Sequence, residues 1–340
     1  MRVGVGVSED LPSPTQQDLA RHVEQAGFAS LWTNEARGRD ALLVCQSWAS
    51  ATTDLQVGVG IAPIWSRSVA QLAMAAATVQ DASGGRLLLG LGVSHAPTMQ
   101  AWHGVTPRAP VTAARETLSA LSTILAGDET DLDGDVVRSR RFRLDIEPLP
   151  PPPPLYLAAM GPRMLEVAGR YADGVLLNWS TPAEVARAVA AVRGAAAGSE
   201  GGRAPGEVEI AAYVRVAIDP DRDAARAALG RELGRYLALP NYVRHLERQG
   251  FADDVEAIRA GYRDGGFDAA VAAMPEGMLR SLGWYGTPDD PAGSMLSRYA
   301  SAGLDHLIAR IVPVGGDVAR SVRTAVGALA HAPLAQVNAG

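Results

Sequence analysis

The chain contains no lysine: all 31 of its basic residues are arginine. That absence removes chemistry. A Schiff base to a side-chain amine cannot form, so class I aldolase and pyridoxal mechanisms are excluded. A Walker A loop is excluded too, because its phosphate-binding lysine is missing. Cysteine is nearly absent. Cys45 stands alone inside an apolar helical pattern, so no intrachain disulfide forms and a reducing compartment is expected. No apolar run reaches the roughly 18 residues of a membrane span. Met1 to Val7 lacks the basic and apolar regions of a secretory signal. Neither H-x-H on the first strand nor H-E-x-x-H occurs, so no metal centre is expected. The net charge of −6 argues against nucleic acid as a partner. A soluble, cytoplasmic protein acting on a small molecule, with no membrane partner, is the expectation.

What is present is a regular alternation. The chain has 340 residues, 47% of them hydrophobic, enough for one large core as a single domain over 1–340. Strand patterns fall at 3–8, 30–34, 55–62, 86–92, 155–159, 174–179, 208–218 and 306–312, with helical patterns between them. Ser13, Asp40 and Ser68 read as helix caps, and Gly27 as a stop. Leu132 to Val136 resembles a hairpin, and Pro148 with Pro150 to Pro154 a stiff connector. A Gly/Ala/Ser-rich loop ends near Gly206. The pattern predicts an α/β fold, a (β/α)8 TIM barrel with insertions after helix four and before strand eight.

The chain is organised around Gly84 to His95. Two glycines end a helix, a solid apolar run follows, and it closes on Gly90-Leu91-Gly92 with Ser94 and His95 beyond. A run apolar on both faces reads as a buried parallel strand. Ligands of such barrels sit at the carboxyl ends of strands, where glycines allow close approach. His95 lies there, as a candidate site residue or as a loop cap. Met160-Gly161-Pro162-Arg163 opens a helix, and free amides at such a terminus seat anions. The plain alternative is a proline-started helix. Asn178 and Trp179 end strand six, and Trp65 and Arg67 follow strand three. An aromatic, a carboxamide and a guanidinium suit a flat polar ring. Glu35 ends strand two and would either handle protons or pair with Arg37 or Arg39.

At Ser83 to His95 the chain resembles the luciferase-like monooxygenase superfamily, most closely the branch that uses coenzyme F420, a deazaflavin. Ala158 to Val175 is a second match, and Gly60-Ile61-Ala62-Pro63 with Arg67-Ser68 a third. The resemblance runs along essentially the whole chain. It implies a cofactor ring at the carboxyl ends of the strands, backed by a bulge after strand three at Val59, Gly60 and Ala62. It also implies a non-proline cis peptide, expected at Val59-Gly60 give or take one residue, and a ring contact at Gly92, Ser94 and Asn178. The cofactor phosphate is expected on Met160, Gly161, Pro162 and Arg163, and the substrate near Trp65, Arg67 and Trp179. His95 and Glu35 are the expected catalytic residues. The F420-using dehydrogenases carry Asp-His after strand two and Glu after strand four. Here those places hold Glu35-Ala36 and His95, which favours reduction of an activated double bond over alcohol oxidation. An Asn-x-Val-Thr-Gly run of the alkanesulfonate monooxygenases is absent, which favours F420 over FMN. The alternatives are an FMN-dependent two-component monooxygenase, a non-catalytic flavin-binding protein, and a barrel enzyme for a phosphorylated metabolite. A homodimer and a separate F420 or flavin reductase are the expected partners.

Overall fold

The computed structural model describes residues 1–147, 151–199, 202–204 and 206–330. The chain begins with β1 (Arg2–Gly6), α1 (Ser13–Gln25), β2 (Ser30–Thr33), α2 (Ala41–Ala49), β3 (Gln56–Pro63), α3 (Val69–Ala82), β4 (Leu87–Gly92), α4 (Ala96–His103) and α5 (Pro110–Leu125). An antiparallel hairpin follows, β5 (Thr130–Asp133) and β6 (Arg138–Phe142). Then come β7 (Leu155–Ala158), α6 (Pro162–Tyr171), β8 (Gly174–Asn178), α7 (Pro182–Ala197) and β9 (Glu209–Ile218). A helical insertion contains α8 (Arg222–Tyr236), α9 (Pro240–Leu246), a π turn at Glu247–Phe251, α10 (Ala252–Ala272) and α11 (Glu276–Leu282). β10 (Gly283–Gly286), α12 (Gly293–Ser301), β11 (His306–Ile311) and α13 (Val318–Ala330) end the described chain.

Eight parallel strands close a ring in the order β1, β2, β3, β4, β7, β8, β9, β11. This is the (β/α)8 barrel expected from the alternation. On the edge away from β11, β9 is long enough to serve two neighbours. It pairs with β8 over 209–213 and with β10 over 215–218. β10 had no counterpart among the expected strands, and α4 none among the helices. Pro148 and Pro150 of the proline connector lie outside the described residues, as does part of the loop before Gly206.

The strand composition hides a strict alternation. Outward residues such as Val3, Val5, Leu31, Val57, Leu89, Ile210 and Leu307 pack under the helices in the main core. Inward residues form a smaller core of Trp32, Leu88, Tyr156, Leu176, Ala211, Tyr213 and Ile308. Below it lies a polar layer. Glu209 accepts from both Arg2 and Tyr156, each at 2.7 Å, and sits 3.0 Å from His306 Nδ1. His306 Nε2 lies 2.8 Å from Ser30 Oγ. The two partners shift in a way that defines their states. Glu209 is drawn down to about 2, burial being opposed by His306 and Arg2. Burial outweighs Glu209 at His306 and lowers it. The layer therefore holds an ionised glutamate and a neutral histidine that donates from Nδ1. It plugs the amino-terminal end of the barrel and leaves the other end to function.

Local signals account for most boundaries. The Asp40, Ser68 and Thr181 side chains each accept from free amides of the helix they open. Gly84 and Gly85 have φ of 63° and 88°, which only glycine adopts cheaply, and they turn α3 into β4. α1 differs from expectation: its cap is Pro12, Ser13 is already helical, and no side chain caps it. The small residues Ala73 and Ala77 of α3 are buried in the main core.

Candidate active site

A cavity of about 1160 Å³ occupies the carboxyl ends of the barrel strands. β3 builds its floor. The β3–β4 register breaks between Val59 and Ala62, and the Gly60–Ile61 peptide is cis. The cis bond thus falls one residue past Val59-Gly60. The floor is cleared by missing side chains. A Cβ on Gly60 would lie 2.3 Å from the Tyr213 hydroxyl, and one on Gly92 2.9 Å from Ile61 Cγ1. Ser94 and Trp179, at the ends of β4 and β8, hold left-handed backbone with φ of 52° and 50°. Non-glycine residues in that region recur where a site holds the chain.

At one end of the cavity stands the amino terminus of α6. Gly161 is its cap and offers no side chain to its free amides. A Cβ built there meets nothing within 4 Å, so the approach is open. Met160, Pro162 and Arg163 line the cavity beside it, with Arg244 and Arg248 from the insertion. Arg248 donates to the Met160 carbonyl at 3.1 Å and so ties the insertion to this turn. Helix dipole, free amides and guanidiniums together form an anion seat.

On the opposite wall Arg67 Nη1 lies 2.6 Å from Glu35 Oε1, and the same guanidinium pairs with Asp40. Glu35 Oε2 is buried and has no hydrogen-bond partner. Glu35 therefore makes an ion pair, with Arg67 instead of Arg37 or Arg39, and still presents a bare oxygen. His95 caps α4 by position, lines the cavity and makes no side-chain hydrogen bond there. Its ring stands 5.9 Å from that of Tyr242. Burial lowers its pKa, so it is neutral at neutral pH. Asn178 donates to the Tyr242 hydroxyl at 2.7 Å and accepts from Arg215.

The cavity gathers Glu35, Gly60, Arg67, Gly92, Ser94, His95, Met160, Gly161, Pro162, Arg163 and Asn178. Four expected residues are absent from its lining. Val59 and Ala62 point outward into the main core and only bracket the β3 break. Trp65 turns back and donates to the Val93 carbonyl at 2.8 Å. Trp179 is buried, with the Arg215 guanidinium 4.5 Å above its ring.

The comparisons with known proteins agree with this architecture. The model of the luciferase-like monooxygenase family matches residues 2–306. The chain belongs to that family. The 5,10-methylenetetrahydromethanopterin reductase of Methanolobus tindarius is 30% identical over 89% of this chain and 92% of its own. The enzyme of the same name from Archaeoglobus fulgidus is 26% identical over 95% and 97%. Among solved structures, the coenzyme F420-dependent tetrahydromethanopterin reductase of Methanopyrus kandleri superposes with a TM-score of 0.83. It is 25% identical, and the superposition covers 99% of this chain and 100% of that one. The family, the barrel and the oxidoreductase class expected from the sequence stand.

Other residues of this luciferase-like site carried no local motif. Tyr213, Arg215 and Arg310 line the cavity from β9 and β11, and Tyr236 and Tyr242 reach it from the insertion. The signal for the arginines was a charge inside an apolar strand, near its carboxyl end and on the inward alternation. The tyrosines had none, because they arrive from helices distant in sequence.

Proposed function

We propose that the protein is a coenzyme F420-dependent reductase acting on an electron-poor double bond. One observation carries this reading: a single cavity joins the open anion seat at Gly161 to the cleared floor at Gly60, Ile61 and Gly92. That shape suits a ligand with a phosphate at one end and a flat ring at the other. Arg163 and the α6 amides would hold the phosphate, and the Gly60–Ile61 segment would back the ring. Reduced F420 supplies a hydride when bound. The names of the relatives support a methylene-carrying tetrahydropterin, or a compound of that class, as acceptor. In such a substrate the acceptor is a methylene carbon between two nitrogens, and it becomes a C=N⁺ carbon once one C–N bond opens.

The residues supply what such an acceptor needs. Glu35 Oε2 places negative charge where a cationic carbon would develop. Arg67 fixes the carboxylate from behind. If the substrate must open a C–N bond first, its nitrogen takes a proton from water, and neutral His95 is placed to hydrogen-bond and orient that water. Tyr236, Tyr242 and Asn178 close the wall and limit water. A homodimer and a separate F420 reductase are part of the proposal. The dimer rests on two large exposed apolar side chains on neighbouring helices, Leu43 on α2 (65% exposed) and Met74 on α3 (55%).

The test is an anaerobic titration with reduced and oxidised F420 and FMN side by side, followed by turnover with a methylene-tetrahydropterin. F420 should bind more tightly and lose its hydride to the acceptor. Tighter FMN binding at every salt concentration would move the protein to the monooxygenase class.

A further inference from the structure

Arg215 on β9 and Arg310 on β11 are register partners on adjacent parallel strands, and both line the cavity. Paired positions in a parallel sheet put their side chains on the same face, strand to strand about 4.8 Å apart. Like charges so placed repel, and burial makes the repulsion worse. Neither guanidinium has a carboxylate partner. Arg215 is 2% exposed, donates to Asn178 Oδ1 and to the Tyr236 hydroxyl at 2.9 Å, and keeps its Nε unpartnered. Arg310 donates to Asn34 Oδ1 at 3.0 Å and keeps a buried Nη1 unpartnered. Aromatic faces shield Arg215, with Trp179 at 4.5 Å and Tyr236 at 5.2 Å, but they do not neutralise it. Arg67, also in the cavity, differs. It is neutralised by Glu35 and Asp40.

We infer that Arg215 and Arg310 form a second anion site in the cavity, distinct from the α6 seat, built for a planar, delocalised oxyanion. Two adjacent guanidiniums with free N–H groups match the two oxygens of a carboxylate-like group. The Tyr213 ring, one inward position below Arg215 on β9, lies 5.8 Å from the Arg215 guanidinium, and its hydroxyl reaches the Gly60 floor as a further donor. The anion has two possible sources with the same chemistry: a carboxylate on the hydride acceptor, or the anionic pyrimidine edge of the reduced deazaflavin. The second source rests on the F420 reading, and the site itself does not.

Two arms test it. In the first, thermal unfolding of the ligand-free protein is followed in acetate and in chloride at equal ionic strength. Acetate should raise the melting temperature of the wild type above that in chloride, since a ligand of the native state stabilises it by mass action. Arg310→Gln should abolish the difference and, in chloride, melt no lower than wild type, because one of two unneutralised charges is gone. Equal melting of the wild type in the two salts, or an acetate effect retained in Arg310→Gln, overturns the site. In the second arm, binding of oxidised and reduced F420 and the potential of the bound cofactor are compared in wild type and Arg310→Gln. A tenfold or greater loss confined to the reduced form, with a more negative potential, assigns the anion to the cofactor. Unchanged cofactor binding with a tenfold or greater rise in KM assigns it to the substrate. If the wild type binds no F420 in either form, the proposed function fails while the acetate arm still decides the site.

Discussion

Arg67 holds Glu35 Oε1 at 2.6 Å and leaves Oε2 buried without a partner at the cavity wall. One oxygen is anchored and the other is free to act. A carboxylate used only for structure would have both oxygens satisfied, since buried polar atoms are rarely left bare.

Glu35→Gln keeps the shape and removes the charge. Hydride transfer should slow by about 10–100-fold, equivalent to roughly 1.5–3 kcal/mol for an interaction with a charged group. Stability should hardly change, because Arg67 keeps Asp40. Single-turnover oxidation of the reduced cofactor reads the rate, and a wild-type rate would remove Glu35 from the chemistry.

Gly161→Val should weaken cofactor binding at least about tenfold by blocking the α6 amides. The variant should fold normally. Its Cβ meets no atom within 4 Å, and the backbone φ of −107° suits any residue. Wild-type affinity would place the phosphate elsewhere. F420 affinity should also fall as salt rises, and further than FMN affinity does, since the exposed arginines at this rim are screened.

His245 gives the protein an acid limit. It is buried, with Ser180 Oγ 3.4 Å from Nε2, and with Glu184 at 3.9 Å and Arg248 at 3.4 Å from Nδ1. Burial outweighs Glu184 and lowers its pKa to about 4. An unfolded chain takes up that proton near pH 6.5, so it binds more protons than the native state between pH 6.5 and 4. Stability should therefore fall as pH drops through that window, by up to about 3 kcal/mol from this residue. His95 and His306, also lowered by burial, add to the slope. His245→Asn should flatten it in part. Denaturant midpoints at several pH values give the answer, and an unchanged slope would count against a neutral, buried His245.

Replacing both Leu43 and Met74 with Glu should weaken the proposed dimer by at least about 2 kcal/mol, roughly thirtyfold in Kd. Sedimentation at micromolar concentration checks this. A wild type that is monomeric there would end the dimer proposal.

The barrel was legible because strand and helix periods alternate cleanly between glycine and proline stops. The α6 seat was legible because glycine, proline and arginine follow an apolar strand within a few residues. Trp65 and Trp179 misled because an aromatic at a strand end turns toward the ligand or away from it according to packing. Here one seeks the Val93 carbonyl, and the other lies under a guanidinium. Arg215 and Arg310 were obscured because they fall inside the strand patterns at 208–218 and 306–312 with no motif around them. Their register, which brings two residues 95 positions apart side by side, exists only once the ring has closed.

The change of partner along β9 has a geometric consequence. At its base the ring has eight strands, but above Tyr213 the edge of β9 belongs to β10 and the β8–β9 seam parts. β9 thus flares away from β8 above the level at which Glu209 and His306 plug the barrel. The flare comes from the ladder and leaves the packing of the strands below intact. The insertion that closes the gap meets the strands at the rim, where Tyr236 accepts from Arg215 and Tyr242 from Asn178. Exchanging residues of the insertion therefore reshapes the cavity wall at the rim and leaves the sequence of the Gly60 and Gly92 floor on β3 and β4 unchanged.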